Sequence, residues 1–181
     1  MKSVLLAAVM ALTAIPAYSD DFYSSKVGDW LIFGDHGDSE LNPACVVSYE
    51  WQDGSEFQLI YDLPNRELFI YFENFDWDII DPEGYYKLNM VIVGSGNNLQ
   101  SGELDYYLMD KNSINIPDIS PVPFLEAFAG LNELRFIMPG DIPNAYLGLR
   151  GSRAATQHLM DCIDVGRRSG LDDKKPLGHD L

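Results

Sequence analysis

The chain has 181 residues, with 12 Lys and Arg against 28 Asp and Glu, a formal net charge of −16 at pH 7. So acidic a chain lacks the clustered cations that nucleic-acid phosphates and anionic lipid surfaces require, which argues against both as partners. Its length suits one domain with one real hydrophobic core.

The chain opens like a secretory signal peptide. Lys2 precedes an apolar run from Val4 to Ile15, and Ala17-Tyr18-Ser19 places small residues around a cleavage point. That run is shorter than the roughly 20 apolar residues a bilayer span needs. Residues 1–19 are therefore expected to be removed, leaving an exported protein, periplasmic rather than extracellular, with no membrane insertion. No cysteine stands at the cleavage point to carry a lipid. Residues 20–166 are expected to form a single β-rich domain, and this segment holds 25 acids and seven bases, a net of −18. Acidity of this kind keeps a protein soluble and favours a basic partner.

Short runs of alternating apolar and polar residues follow one another. Asp29–Phe33 is the first predicted strand, closed by the turn residues Gly34 to Asp38. Ala44–Trp51 is the second and ends on the hairpin signal Gln52-Asp53-Gly54. Glu56–Leu63 alternates Phe57, Leu59 and Tyr61 with polar residues, and Pro64-Asn65 turns the chain into Glu67–Phe72. Asn74 to Ile79 alternates again and reads as an amphipathic strand. Tyr85–Val93, Gly102–Met109, Ser113–Ile116, Glu133–Met138 and Ala145–Leu149 complete the strands. Pro121–Gly130 has Pro at its start and Gly at its end, a helix pattern whose Phe124, Leu125 and Phe128 share one face. Ser152 is the expected N-cap of a last helix, in which Ala155, Leu159, Cys162 and Ile163 recur at helical spacing. Residues 167–181 are polar, mixed in charge and broken by Gly and Pro, and are expected to be a flexible tail. The close turns favour an antiparallel meander over βαβ units. The fold class is mainly β: an antiparallel β-sandwich or half-open barrel with one or two short helices, the last near the C-terminus.

Two cysteines, Cys45 and Cys162, are expected to form one disulfide, the simplest use of an even pair in an exported chain. Asn74, Asp76 and Asp78 begin like a calcium loop, but Ile79 stands where that loop needs glycine and Tyr85 where it needs glutamate. The acids and histidine of the Asp35–Glu40 turn lack a recognised ligand spacing. No metal and no cofactor are expected. Nothing selects a nucleophile, and His36, His158 and His179 are dispersed, so no catalytic residues are assigned and the chain is read as a non-enzyme. Asp76, Asp78, Tyr85, Tyr86, Tyr106 and Tyr107 are the candidate interaction surface. In adjacent tyrosines of a strand one ring of each pair should face outward, and exposed Tyr beside carboxylates suits protein or carbohydrate binding. Arg150 and Arg153 at the start of the last helix could assist anion binding, but no glycine-rich phosphate loop accompanies them.

Gly28-Asp29-Trp30, then Cys45, then Gly151-Ser152, Ala154-Ala155, Leu159 and Cys162 at the far end resemble small exported bacterial proteins related to the invasion-associated locus B family. The resemblance implies a β-sandwich-like exported domain without known catalysis, engaged in envelope or host-surface interaction, and it carries over no catalytic residues. The function expected is that of an exported binding protein with an acidic surface and one disulfide, its partner a basic protein or an envelope component. One alternative is an acidic inhibitor or immunity protein against a basic hydrolase. Another is an envelope-glycan hydrolase working with carboxylates, which needs two acids converging in a cleft.

Overall fold

A computed structural model describes residues 21–38, 41–79, 85–93, 99–130 and 132–173. The expected signal peptide, Glu40 and the chain beyond residue 173 lie outside the described residues. The strands are β1 Asp21–Val27, β2 Trp30–Asp35, β3 Ala44–Glu50, β4 Glu56–Asp62, β5 Glu67–Glu73, β6 Tyr85–Val93, β7 Leu99–Leu108, β8 Ser113–Ile119, β9 Glu133–Ile137 and β10 Ala145–Gly148. The helices are α1 Pro121–Gly130 and α2 Ser152–Arg168. All ten strands join one sheet in the order β1-β2-β3-β4-β5-β8-β7-β6-β9-β10.

Two-residue alternation builds the inner wall. Phe57 and Leu59 of β4, Leu68 and Ile70 of β5 and Ile32 of β2 are wholly buried. The sheet curls, so that Phe57 and Phe72 meet Phe136 of β9 across the core at ring separations of 6.5 and 5.3 Å. Among the described residues β1 and β10 do not pair, so this is the half-open form of the expected mainly β class. Trp30 packs on Phe57 and Phe128 and gives its indole proton to the Arg150 carbonyl at 2.9 Å. A buried indole needs such an acceptor.

The simple meander fails at β5. The partner of β5 is β8, and β7 and β6 follow in reverse order, so the β6–β7–β8 unit is laid down backwards before β9 resumes. Turn chemistry constrains each hairpin but not which edge a distant hairpin joins. β1 is a strand the alternation pattern did not announce. Gly28, at φ 61°, makes the two-residue turn that pairs β1 with β2. Tyr23 and Ser25 of β1 are half-buried and hydrogen-bond to His158 of α2, which packs against this strand.

Three further expectations need correction. Asn74–Ile79 is a turn, not a strand. The Asn74 side chain accepts the Asp76 amide at 2.9 Å, and the Trp77 amide reaches the Asn74 carbonyl at 3.0 Å. Trp77 is 1% exposed and packs on Phe72, whereas Phe75 is 54% exposed, so the two aromatics do not share a buried face. Ser152 is not the cap of its own helix: Gly151 holds that position with φ 87°, and no side-chain cap bond forms. The Ser152 hydroxyl turns to the Phe128 carbonyl at 2.7 Å, and Arg153 Nε reaches the Ala129 carbonyl at 3.4 Å. Carbonyls in a last helical turn lack intrahelical donors, and the start of α2 supplies them to α1. Finally, the tail does not begin at residue 167. Arg167 and Arg168 complete α2, Leu171 is buried and its amide closes on the Gly166 carbonyl at 3.0 Å.

The buried stripe of α2 includes Ala155, Leu159, Cys162, Ile163 and Gly166. It lies against β1, β2 and β3, and Cys162 is joined to Cys45 of β3 with Cα atoms 6.1 Å apart. Phe124, Leu125 and Phe128 bury the inner face of α1, as their spacing predicts.

Candidate interaction surface

The structure separates the residues singled out from sequence. Asp76 and Asp78 are exposed on the 74–79 turn, with Asp78 3.8 Å from Lys111. Tyr106 is only 1% exposed; it belongs to the core, its ring 5.6 Å from that of Tyr86. Its hydroxyl is held above the usual tyrosine range by burial first, and by Tyr86 second. Tyr107 is half-buried on the opposite face and accepts a hydrogen bond from the Asn115 amide. The side chain of Tyr85 lies outside the described residues. One tyrosine of the Tyr106–Tyr107 pair does point away from the core, but the inward one is lost to any surface.

A coherent polar surface lies instead on the outer face of β3, β4, β5, β8 and β7. Register alone assembles it. Ser48 stands opposite Gln58, Gln58 opposite Tyr71, Tyr71 opposite Asn115, and Asn115 opposite Tyr107. Two residues along, Glu50, Glu56 and Glu73 stand directly opposite one another on three neighbouring strands. Like charges in cross-strand register destabilise a sheet. None of the three takes part in an ion pair among the described residues. Neutral donors hold two of them in place. Ser48 and Gln58 donate to Glu56 Oε1 at 2.7 and 2.8 Å, and Tyr71 donates to Glu73 Oε2 at 3.3 Å. The Tyr71 hydroxyl is raised above its ordinary pKa, mainly by burial, with the Glu73 charge adding to it. At the β1–β3 side the face opens into a broad groove of about 970 Å³, whose walls include Lys26, Leu31, Ser48, Glu50, Trp51 and Asp53. The individual acids are visible in the sequence, but their register across three strands is not.

Two other constellations resolve into structural roles. The Asp35 and Asp38 carboxylates accept the amides of Gly37 and Leu41 at 2.8 and 2.9 Å, which shapes the turn. Gly37 has φ 65°, and a Cβ there would stand 2.2 Å from the Leu41 carbonyl oxygen, so only glycine fits. Among the described residues no three His, Cys, Asp or Glu side chains gather as metal ligands. His158 of α2 has Tyr23 Oη, Ser25 Oγ and Asp161 Oδ2 at 2.9, 3.2 and 3.9 Å, all from Nδ1. A Ser-His-Asp relay needs hydroxyl and carboxylate on opposite ring nitrogens. Here they share one, so the cluster fastens α2 to β1. Burial, reinforced by the Asp161 charge, raises the Tyr23 hydroxyl.

Against known proteins, no family model and no curated protein matches the chain. Among solved structures the chain is similar to the invasion associated protein B from Bartonella henselae. The crystal structure of that protein superposes with a TM-score of 0.49 at 12% identity, over 77% of this chain and 96% of the other. Among the described residues no helix is long and apolar enough to cross a membrane.

Proposed function

We propose that the protein is an exported, non-catalytic binding module that engages a cationic protein through the outer face of its sheet. The observation that carries this reading is the Glu50–Glu56–Glu73 row, three carboxylates in cross-strand register, free of ion pairs among the described residues and partly set by neutral donors. A row so arranged costs the free protein stability and is relieved by Lys or Arg from a partner. The net charge of −16 supports the same sign of partner and would speed its approach. Export is supported by the signal-like first nineteen residues and by the Cys45–Cys162 disulfide, a bond of oxidising compartments. In its most specific form the partner is a basic hydrolase, and this protein its inhibitor or immunity protein.

The test is binding of a basic lysozyme, measured by calorimetry at about 0.02 M and about 0.3 M salt. The expected result is a complex at low salt that weakens at least about tenfold at high salt. Replacing all three residues (Glu50→Gln, Glu56→Gln, Glu73→Gln) should weaken it by a similar factor without unfolding the protein. A panel of cationic proteins that fails to bind at low salt, or that binds the triple variant as well as the natural chain, overturns the reading.

A further inference from the structure

The second surface has the opposite chemistry. α1 and α2 lie side by side, and between them runs a groove of about 380 Å³ lined by Val122, Leu125 and Ala129 of α1 and by Met160 and Ile163 of α2. Val122 is 67% exposed and Met160 39%, so two apolar side chains, one on each helix, stand open to solvent, while Leu125 and Ile163 beneath them belong to the core. The volume lies within the range of single small-ligand sites. Arg167, in the last turn of α2, and Tyr61 of β4 also line the groove. Tyr61 is only 6% exposed, and its hydroxyl accepts a hydrogen bond from Arg167 Nη2 at 3.4 Å. That hydroxyl therefore still has its own proton to donate, and Arg167 makes no ion pair among the described residues. Two donors, one of them charged, converge at one end of an apolar trough with no carboxylate between them.

We propose that this groove binds a long-chain fatty acid, with its chain along α1 and α2 and its carboxylate at Arg167 and Tyr61. A carboxylate accepts a guanidinium fork and a phenol proton together, and the apolar walls supply the energy of chain burial. The charge pattern selects this occupant over an acidic amphipathic helix. Glu126 stands in the α1 wall, where a helix bearing several carboxylates would meet it, whereas a single head group meets only the far end. The inference is independent of the cationic-partner reading, which uses the other face of the molecule.

The experiment titrates the full mature protein with saturated fatty acids of ten to sixteen carbons and with the corresponding alcohols, by calorimetry. Saturable one-to-one binding of the acids is expected, with the alcohols at least about tenfold weaker because they cannot use the Arg167 charge. Arg167→Gln should bring the acids down to the level of the alcohols. Tyr61→Phe should weaken them by a smaller factor. Val122→Glu, an exposed position that leaves the core untouched, should abolish binding of acids and alcohols alike. Circular dichroism of each variant checks the fold. Failure of every chain length to bind, or binding that ignores both Arg167→Gln and Val122→Glu, overturns the proposal. So does self-association, or capture of an acidic helical peptide, that Val122→Glu breaks while no fatty acid binds. Those outcomes assign the groove to a second copy or to a helix instead.

Discussion

The outer face of β3–β5 and the groove between α1 and α2 are made by opposite rules. On the sheet, the two-residue period sends Ser48, Glu56, Gln58 and Tyr71 outward, and pairing register then sets Glu50, Glu56 and Glu73 abreast. The result is polar, acidic and held by hydrogen bonds. Between the helices, the 3.6-residue period sends one stripe of each helix into the core and leaves a neighbouring stripe uncovered. That surface is apolar, with Arg167 and Tyr61 as its polar end. On the two proposals above, the first surface takes cations and the second an anionic amphiphile. The lesson is that net charge describes the first and conceals the second.

The largest effect on the two surfaces is expected at the disulfide. Replacing both cysteines (Cys45→Ala, Cys162→Ala) removes a link across 117 positions, and urea unfolding should show a loss of about 2–5 kcal/mol. Because the bond ties α2 to β3, the helix groove should loosen before the outer sheet face does. Hydrogen exchange should show faster exchange in α2 than in β4. Equal protection of both elements in the variant would separate the groove from the bond. A middle-sized effect is expected at the junction of the helices. Ser152→Ala leaves the Phe128 carbonyl without its buried donor and should cost about 1–3 kcal/mol by the same unfolding measurement. Cost below about 0.5 kcal/mol would mean that Arg153 or water replaces the bond. The smallest effect has the opposite sign. Glu73→Gln relieves a like-charge pair with Glu56 and should raise stability by about 0.2–1 kcal/mol at low salt, fading as salt rises. Destabilisation at low salt would show that the row is neutralised in a way its register does not reveal.

Much of this fold is legible along the chain. The buried faces of β4 and β5, the limits of α1, the stripe of α2 and the Cys45–Cys162 pair all follow from periodicity, helix punctuation and the use of cysteine in exported chains. β1 is not legible, because its half-buried residues Tyr23 and Ser25 are polar and find their hydrogen-bond partner in His158, more than 130 positions away on α2. The role of Ser152 is hidden from the sequence for a related reason. A cap residue is recognised by its neighbours in sequence, whereas its acceptor lies 24 positions away on another helix. Tyr106 illustrates the remaining difficulty: alternation says that one of two adjacent rings faces out, not which.

The amino-acid sequence alone settles the mainly β class, the acidity, the covalent clasp and which face of most elements is apolar, since these depend on local period and composition. Tertiary structure alone decided the reversed β6–β7–β8 unit, the glutamate row and the donor pair at the end of the helix groove. Each of these depends on which distant residues become neighbours, and that choice is made by packing the whole core, not by any local stretch of chain.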